Sequence, residues 1–132
     1  MCGINGVLSK TEIGISKIKE MNQLIYHRGP DDEGVFYENN EDYCISMGMR
    51  RLSIIDLSSG NQPMYSDDKS IILVFNGEIY NYIKLKEELL KDHISFNTNS
   101  DTEVILKLYE KYGSDSFKRL DGMYSFSLID KK

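Results

Sequence analysis

Ile15, Ile18, Met21 and the pair Leu24-Ile25 recur at intervals of three and four residues, which predicts an amphipathic helix over about 14–26. Gly29 and Pro30, within His27-Arg28-Gly29-Pro30-Asp31, stop it and shape a loop. Ahead of it, residues 4–8 have the length and character of a short buried strand. Behind it, residues 35–37 and 43–49 are strand-like segments flanking Asn39-Asn40-Glu41-Asp42, the pattern of a hairpin. Residues 51–57 continue as extended chain and 58–63 as a polar loop. Residues 71–75 are apolar at every position, which predicts a strand buried on both faces. A second helix over 81–91 sets Tyr82, Leu85 and Leu89 on one side. Ser100 and Glu103 have the spacing of a capping box that opens a third helix, and Gly113 stops it beyond Tyr112 in the left-handed position. A short helix over 114–120 and a strand over 123–129 follow. Strands and helices do not alternate regularly, so the pattern argues against a doubly wound sheet and for an α+β fold with helices on antiparallel sheets. The last strand is followed only by Asp130-Lys131-Lys132, and an apolar strand left without its next partner is an aggregation hazard. The chain is therefore expected to be a fragment of a longer protein.

Composition narrows the class. A chain of 132 residues, 40% hydrophobic and 28% charged, suits one soluble globular domain. Sixteen basic against twenty-one acidic residues leave a net charge of −5 and no basic stripe, which argues against nucleic acid or an anionic membrane as partner. No apolar run is long enough to span a bilayer, and no secretory leader opens the chain. Cys2 and Cys44 make no disulfide framework, and with His27 and His93 they offer no metal-ligand spacing. A reducing cytoplasm suits a working thiol. No glycine-rich phosphate loop is present, so no ATP site is expected in this chain.

Met1-Cys2-Gly3 carries the first candidate chemistry. Removal of Met1 would leave one residue with both a thiol and a free α-amine. The reference pKa values, about 7.7–8.0 for the amine and about 8.5 for the thiol, leave part of the amine uncharged near neutrality. It can then take the proton of its own thiol, so nucleophile and base sit in one residue. Asn76-Gly77 follows the buried strand; alone, that dipeptide reads as a hairpin turn. Arg50 and Arg51 are adjacent, so strand alternation sends their side chains to opposite faces. Asp101 lies where a helix cap is expected, and it is released for another role only if Ser100 caps. Cys44 reads as a small buried apolar residue and His93 as a cation at a helix C-terminus.

Six motifs stand in order: Met1-Cys2-Gly3-Ile4, His27 to Asp31, Arg51-Leu52-Ser53-Ile54-Ile55-Asp56, Asn76-Gly77-Glu78-Ile79-Tyr80-Asn81, Ser100-Asp101, and Leu120-Asp121-Gly122-Met123-Tyr124-Ser125-Phe126. Over essentially the whole chain, 1–132, this set resembles the glutaminase domain of glutamine-hydrolysing asparagine synthetases. These are class II amidotransferases with an N-terminal nucleophile. The resemblance implies a four-layer α-β-β-α sandwich of mainly antiparallel sheets. It implies Cys2 as nucleophile, with the Asn76 side chain and the Gly77 N–H as the oxyanion hole. It implies Arg51 on the α-carboxylate of L-glutamine and Asp101 on its α-ammonium, with Leu52, Ile54, Ile55 and Glu78 as the remaining contacts. It assigns ATP and magnesium to a C-terminal synthetase domain beyond this chain, and it leaves room for a homodimer of the full-length protein. Tyr26 stands where the family has an arginine, and Gly3 and Asn5 also depart from the usual residues; none touches the chemistry. An amidotransferase with another carboxyl acceptor and a non-catalytic module of the same fold are the alternatives, and retention of Cys2, Arg51, Asn76, Gly77 and Asp101 argues against the second.

One prediction follows from the amine-as-base reading. Protein that retains Met1 has its base locked in a peptide bond, so its turnover of glutamine should collapse relative to processed protein of equal fold. Equal turnover of the two forms, each verified by N-terminal mass spectrometry, would mean that another base operates, with His27 the first to examine.

Overall fold

The computed structural model describes residues 2–52 and 60–132. Two three-stranded antiparallel sheets form its centre. In the first, β1 (Gly3–Ser9) and β2 (Asp32–Asn39) flank β3 (Cys44–Arg51). The β2–β3 hairpin expected from sequence is present, and Asn40 makes its turn: its side-chain oxygen accepts from the N–H groups of Asp42 and Tyr43, each at 2.9 Å. In the second sheet, β5 (Ile71–Ile79) lies between β4 (Met64–Tyr65) and β6 (Gly122–Asp130).

Strand β5 joins the layers because it is apolar on both faces. Ile72 and Val74 pack on Phe36, Met47 and Met49 of the first sheet. Ile71, Leu73 and Phe75 pack on Leu85 and Leu89 of α2 (Tyr82–Lys91) and on residues such as Val104, Ile105 and Leu108 of α3 (Asp101–Tyr112). On the outer side of the first sheet lies α1 (Ile15–Leu24). The order is therefore helix, sheet, sheet, helices, the four-layer α+β arrangement anticipated above.

Several local expectations are corrected. Strand β1 is an edge strand, with Leu8 72% exposed. Helix α1 buries Ile18 and Asn22, whereas Leu24 is 79% exposed. Gly48 admits the helix closely, since a Cβ there would lie 2.3 Å from the Asn22 side-chain oxygen. Asn22 accepts from Asn5 at 2.7 Å and donates to Glu33 and to the Gly34 carbonyl, so a polar residue takes the place periodicity gives to an apolar one. The residues after Leu24 form a 3₁₀ turn, Tyr26–Arg28, rather than more α-helix. Ser100 caps α3 through the Thr102 N–H, but Glu103 does not return to Ser100. Glu103 instead accepts from the N–H groups of Asn97 and Thr98, fixing the preceding loop. Gly113 has φ +59° but ψ −148°, outside the left-handed helical region and in a region open essentially to glycine alone. Of the extended segment expected over 51–57, residues 53–57 lie outside the described residues, as do 58 and 59 of the loop expected over 58–63.

Ile72 is fully buried between the sheets, so Ile72→Ala should cost about 2–5 kcal/mol of stability. Urea unfolding followed by circular dichroism measures it; a loss below about 1 kcal/mol would mean that the sheets do not pack through this residue.

Candidate functional site

Cys2 is partly buried at the start of β1 and packs against the inter-sheet core. Its thiol lies 3.6 Å from the Leu52 carbonyl, to which it donates, and 3.4 Å from the Leu52 N–H, which it accepts. Arg28 donates to the Cys2 carbonyl at 3.3 Å. The loop that carries Arg28 is lashed to β3 by Arg50. Its guanidinium donates to the carbonyls of Gly29 at 2.9 Å and Pro30 at 3.3 Å, pairs with Glu33 at 2.9 Å and stacks over the Tyr26 ring at 4.5 Å.

A cavity of about 180 Å³ opens beside the thiol. Cys2, Arg51 and Leu52 form one wall, with Gly60 and Gln62 from the following loop. Phe75, Gly77 and Glu78 of β5 form another, and Ser100, Asp101 and Thr102 close it from the start of α3, with Met123 at its margin. Arg51, 5% exposed, donates to Asn61 at 3.3 Å. Asp101 accepts the Ile79 N–H at 3.1 Å, and Ser100 does the capping. Burial pushes the Asp101 carboxyl above its ordinary value, opposed by the N–H groups of Ile79, Thr102 and Asp101 itself and assisted by the charge of Glu78. Arginine and carboxylate thus face one partly apolar space next to a thiol.

Asn76 and Gly77 lie inside β5, opposite Ser125 and Tyr124, and not in a hairpin turn. Gly77 has φ +153°, and a Cβ there would come within 2.3 Å of the Met123 carbonyl, so the position excludes a side chain on two counts. Asn76 does not line the cavity. Alternation places it on the inter-sheet face with Ile72 and Val74, the face on which Cys2 packs, and its side-chain oxygen is buried with no hydrogen-bond partner among the described residues.

The chain matches the glutamine amidotransferase domain family over residues 1–132. It belongs to that family. It is 44% identical to the glutamine-hydrolysing asparagine synthetase 1 of Bacillus subtilis over 99% of this chain and 21% of that protein. To the glutamine-hydrolysing asparagine synthetase of Zea mays it is 45% identical over 100% of this chain and 22% of that protein. The chain spans between 21% and 28% of the length of the first such curated relatives. The glutamine phosphoribosylpyrophosphate amidotransferase of B. subtilis, solved with ADP and GMP, superposes with a TM-score of 0.77. That match covers 97% of this chain and 35% of the other at 21% identity, a likeness of fold.

Of the residues singled out from sequence, the amidotransferase domain brings Cys2, Arg51, Leu52, Gly77, Glu78 and Asp101 to one cavity. Arg50 is bonded to the Gly29–Pro30 loop on the other side of β3. Ile54 and Ile55 lie outside the described residues. His27 is exposed and does not line the cavity, whereas its neighbour Arg28 holds the Cys2 carbonyl. Cys44 is 2% exposed, and its sulfur bonds the backbone of Ile13. Sequence reasoning missed Arg28, Gln62 and Thr102. Arg28 lay within a recognised motif, and Gln62 carried only the signal of preceding Pro63. Among the described residues no His, Cys, Asp and Glu cluster could hold a metal, and no helix is long and apolar enough to cross a membrane.

Because the folded protein holds Asp101 above its ordinary range, it binds that proton more readily than the unfolded chain does. Stability from this group is therefore present at low pH and is lost as pH rises through the raised value. Asp101→Asn should gain stability over the unaltered protein between about pH 4 and pH 7, with the two converging at the acid end. Parallel urea titrations across that range test this, and a variant that loses ground as pH rises would contradict it.

Proposed function

We propose that the domain hydrolyses L-glutamine to glutamate and ammonia at Cys2, and that in the full-length protein a further, C-terminal synthetase domain uses the ammonia to convert aspartate to asparagine with ATP. The observation that carries the first half is the cavity shared by Cys2, Arg51 and Asp101. Free glutamine carries an α-carboxylate and an α-ammonium, and a pocket selective for it needs both counter-charges. The second half is supported by the names of the B. subtilis and Z. mays relatives. ATP and magnesium belong to the synthetase domain in this proposal, and no residue described above is asked to hold them.

The chemistry is acyl transfer. The Cys2 thiol, deprotonated by its own α-amine, attacks the side-chain amide carbon. The developing oxyanion takes hydrogen bonds from the Asn76 amide and the Gly77 N–H; one such donor is typically worth about 2.7–4 kcal/mol in the transition state. The protonated amine then gives its proton to the departing nitrogen, and ammonia leaves a thioester. Water, deprotonated by the same amine, attacks the thioester and releases glutamate. Arg51 binds the α-carboxylate, two-pronged through its planar guanidinium, and Asp101 binds the α-ammonium. That ammonium lowers the cost of ionising Asp101, whose burial otherwise disfavours the charge. Glu78, exposed at the rim, adds negative potential on the same side.

Two substitutions test the reading together. Cys2→Ala should abolish glutaminase activity and leave the unfolding curve nearly unchanged. Arg51→Ala should raise the KM for glutamine by the equivalent of about 2–5 kcal/mol. Arg50→Ala should instead lower stability and leave KM near its starting value, since Arg50 serves the loop and not the cavity. Full activity in Cys2→Ala, or equal effects of the two arginines on KM, would refute the assignment.

A further inference from the structure

Gln62 is 7% exposed, and both ends of its side-chain amide are used. Its oxygen accepts the Phe75 N–H at 2.6 Å, and its nitrogen donates to the Thr102 hydroxyl at 3.4 Å. The first bond stands in for a missing rung of the sheet. Strand β4 pairs with β5 at Met64 opposite Leu73 and begins there, directly after Pro63. Alternation of antiparallel bonds would next bring the Phe75 N–H to the backbone carbonyl of residue 62. The side-chain carbonyl takes that place. The bonded residue, Phe75, immediately precedes Asn76-Gly77, and Thr102 immediately follows Asp101.

We infer that Gln62 is a positioning residue for glutamine hydrolysis, tying the strand that presents Asn76 and Gly77 to the helix start that presents Asp101. The inference rests on the function proposed above. A buried amide is an expensive way to fill space, because each polar end must find a partner. Here each end finds one on a different wall of the same cavity. A second tie, the Ile79 N–H to Asp101, holds the far side of the Asn76-Gly77-Glu78 segment. The segment is thus pinned at Phe75 and at Ile79, with the strained Gly77 between them. Loosening the first pin shifts the oxyanion donors and leaves Asp101 held by the second and Arg51 untouched. Its signature is a loss in the chemical step with little loss in binding.

The test compares steady-state glutamine hydrolysis by the full-length, Met1-processed protein with that of Gln62→Met and Thr102→Val. Active sites are counted by labelling Cys2 with a glutamine-like electrophile. Misplacement of about 1 Å can cost about 100-fold, so Gln62→Met should lose about 10- to 100-fold in kcat per labelled site, with KM within about threefold. Thr102→Val keeps the Phe75 bond and should show a smaller loss of the same kind, which decides the matter if Gln62→Met fails to fold. A kcat per labelled site that is unchanged in the folded variants, with only a lower unfolding temperature, would overturn the inference by making Gln62 purely structural. A loss confined to KM would overturn it as well. Absence of glutamine turnover in the unaltered protein would overturn the underlying reading of the site, and this inference with it, an outcome distinct from the other two.

Discussion

Strand β5 has to be buried on both faces, and this constraint organises the rest. Its even positions, Ile72 and Val74, need an apolar partner that only another sheet supplies. Its odd positions, Leu73 and Phe75, need one that α2 and α3 supply. A strand so enclosed has little freedom to shift register, because a slip of one residue would exchange the two faces. What lies at its end is therefore held in place: Gly77 and Glu78 reach the cavity on a rigid support, and Asn76 is held beside them on the inter-sheet face. The nucleophile comes from the other sheet, at the head of β1, so the packing of one sheet on the other brings thiol and β5 together.

The site spends some of that stability. Asp101, Arg51, Gln62 and Thr102 are all buried polar or charged groups, and each is held by hydrogen bonds to backbone or side chains of the elements around it. Gly77 occupies a backbone conformation that side chains rarely adopt. The Asn76 oxygen is buried without a hydrogen-bond partner among the described residues. Unfavourable features of this kind concentrate where a ligand completes them, and here they fall around one thiol.

What the sequence disclosed follows from how local each determinant is. The continuous apolar run at 71–75 announced a doubly buried strand, and Asn40 in its turn announced the hairpin, since both signals are contained in a few residues. The alternation of Arg50 and Arg51 placed them on opposite sides of β3 for the same reason. The extension of β5 through Ile79 was hidden, because Asn76-Gly77 reads as a turn until its pairing with Ser125 and Tyr124 is known. Buried Asn22 and exposed Leu24 ran against helical periodicity, because the partners of Asn22 lie on β1 and β2. Gln62 looked like part of a polar loop; its role arises from contacts with Phe75 and Thr102, far along the chain.

The account makes one cavity responsible for holding both charged ends of glutamine while its amide meets Cys2. A crystal structure of the processed protein after reaction with a glutamine-like ketone electrophile tests this most directly. The account predicts a covalent bond to the Cys2 sulfur, the inhibitor oxygen within hydrogen-bonding reach of Asn76 and the Gly77 N–H, its α-carboxylate on Arg51 and its α-ammonium on Asp101. An adduct on Cys2 whose charged ends lie away from Arg51 and Asp101, or an adduct on another residue, would contradict it.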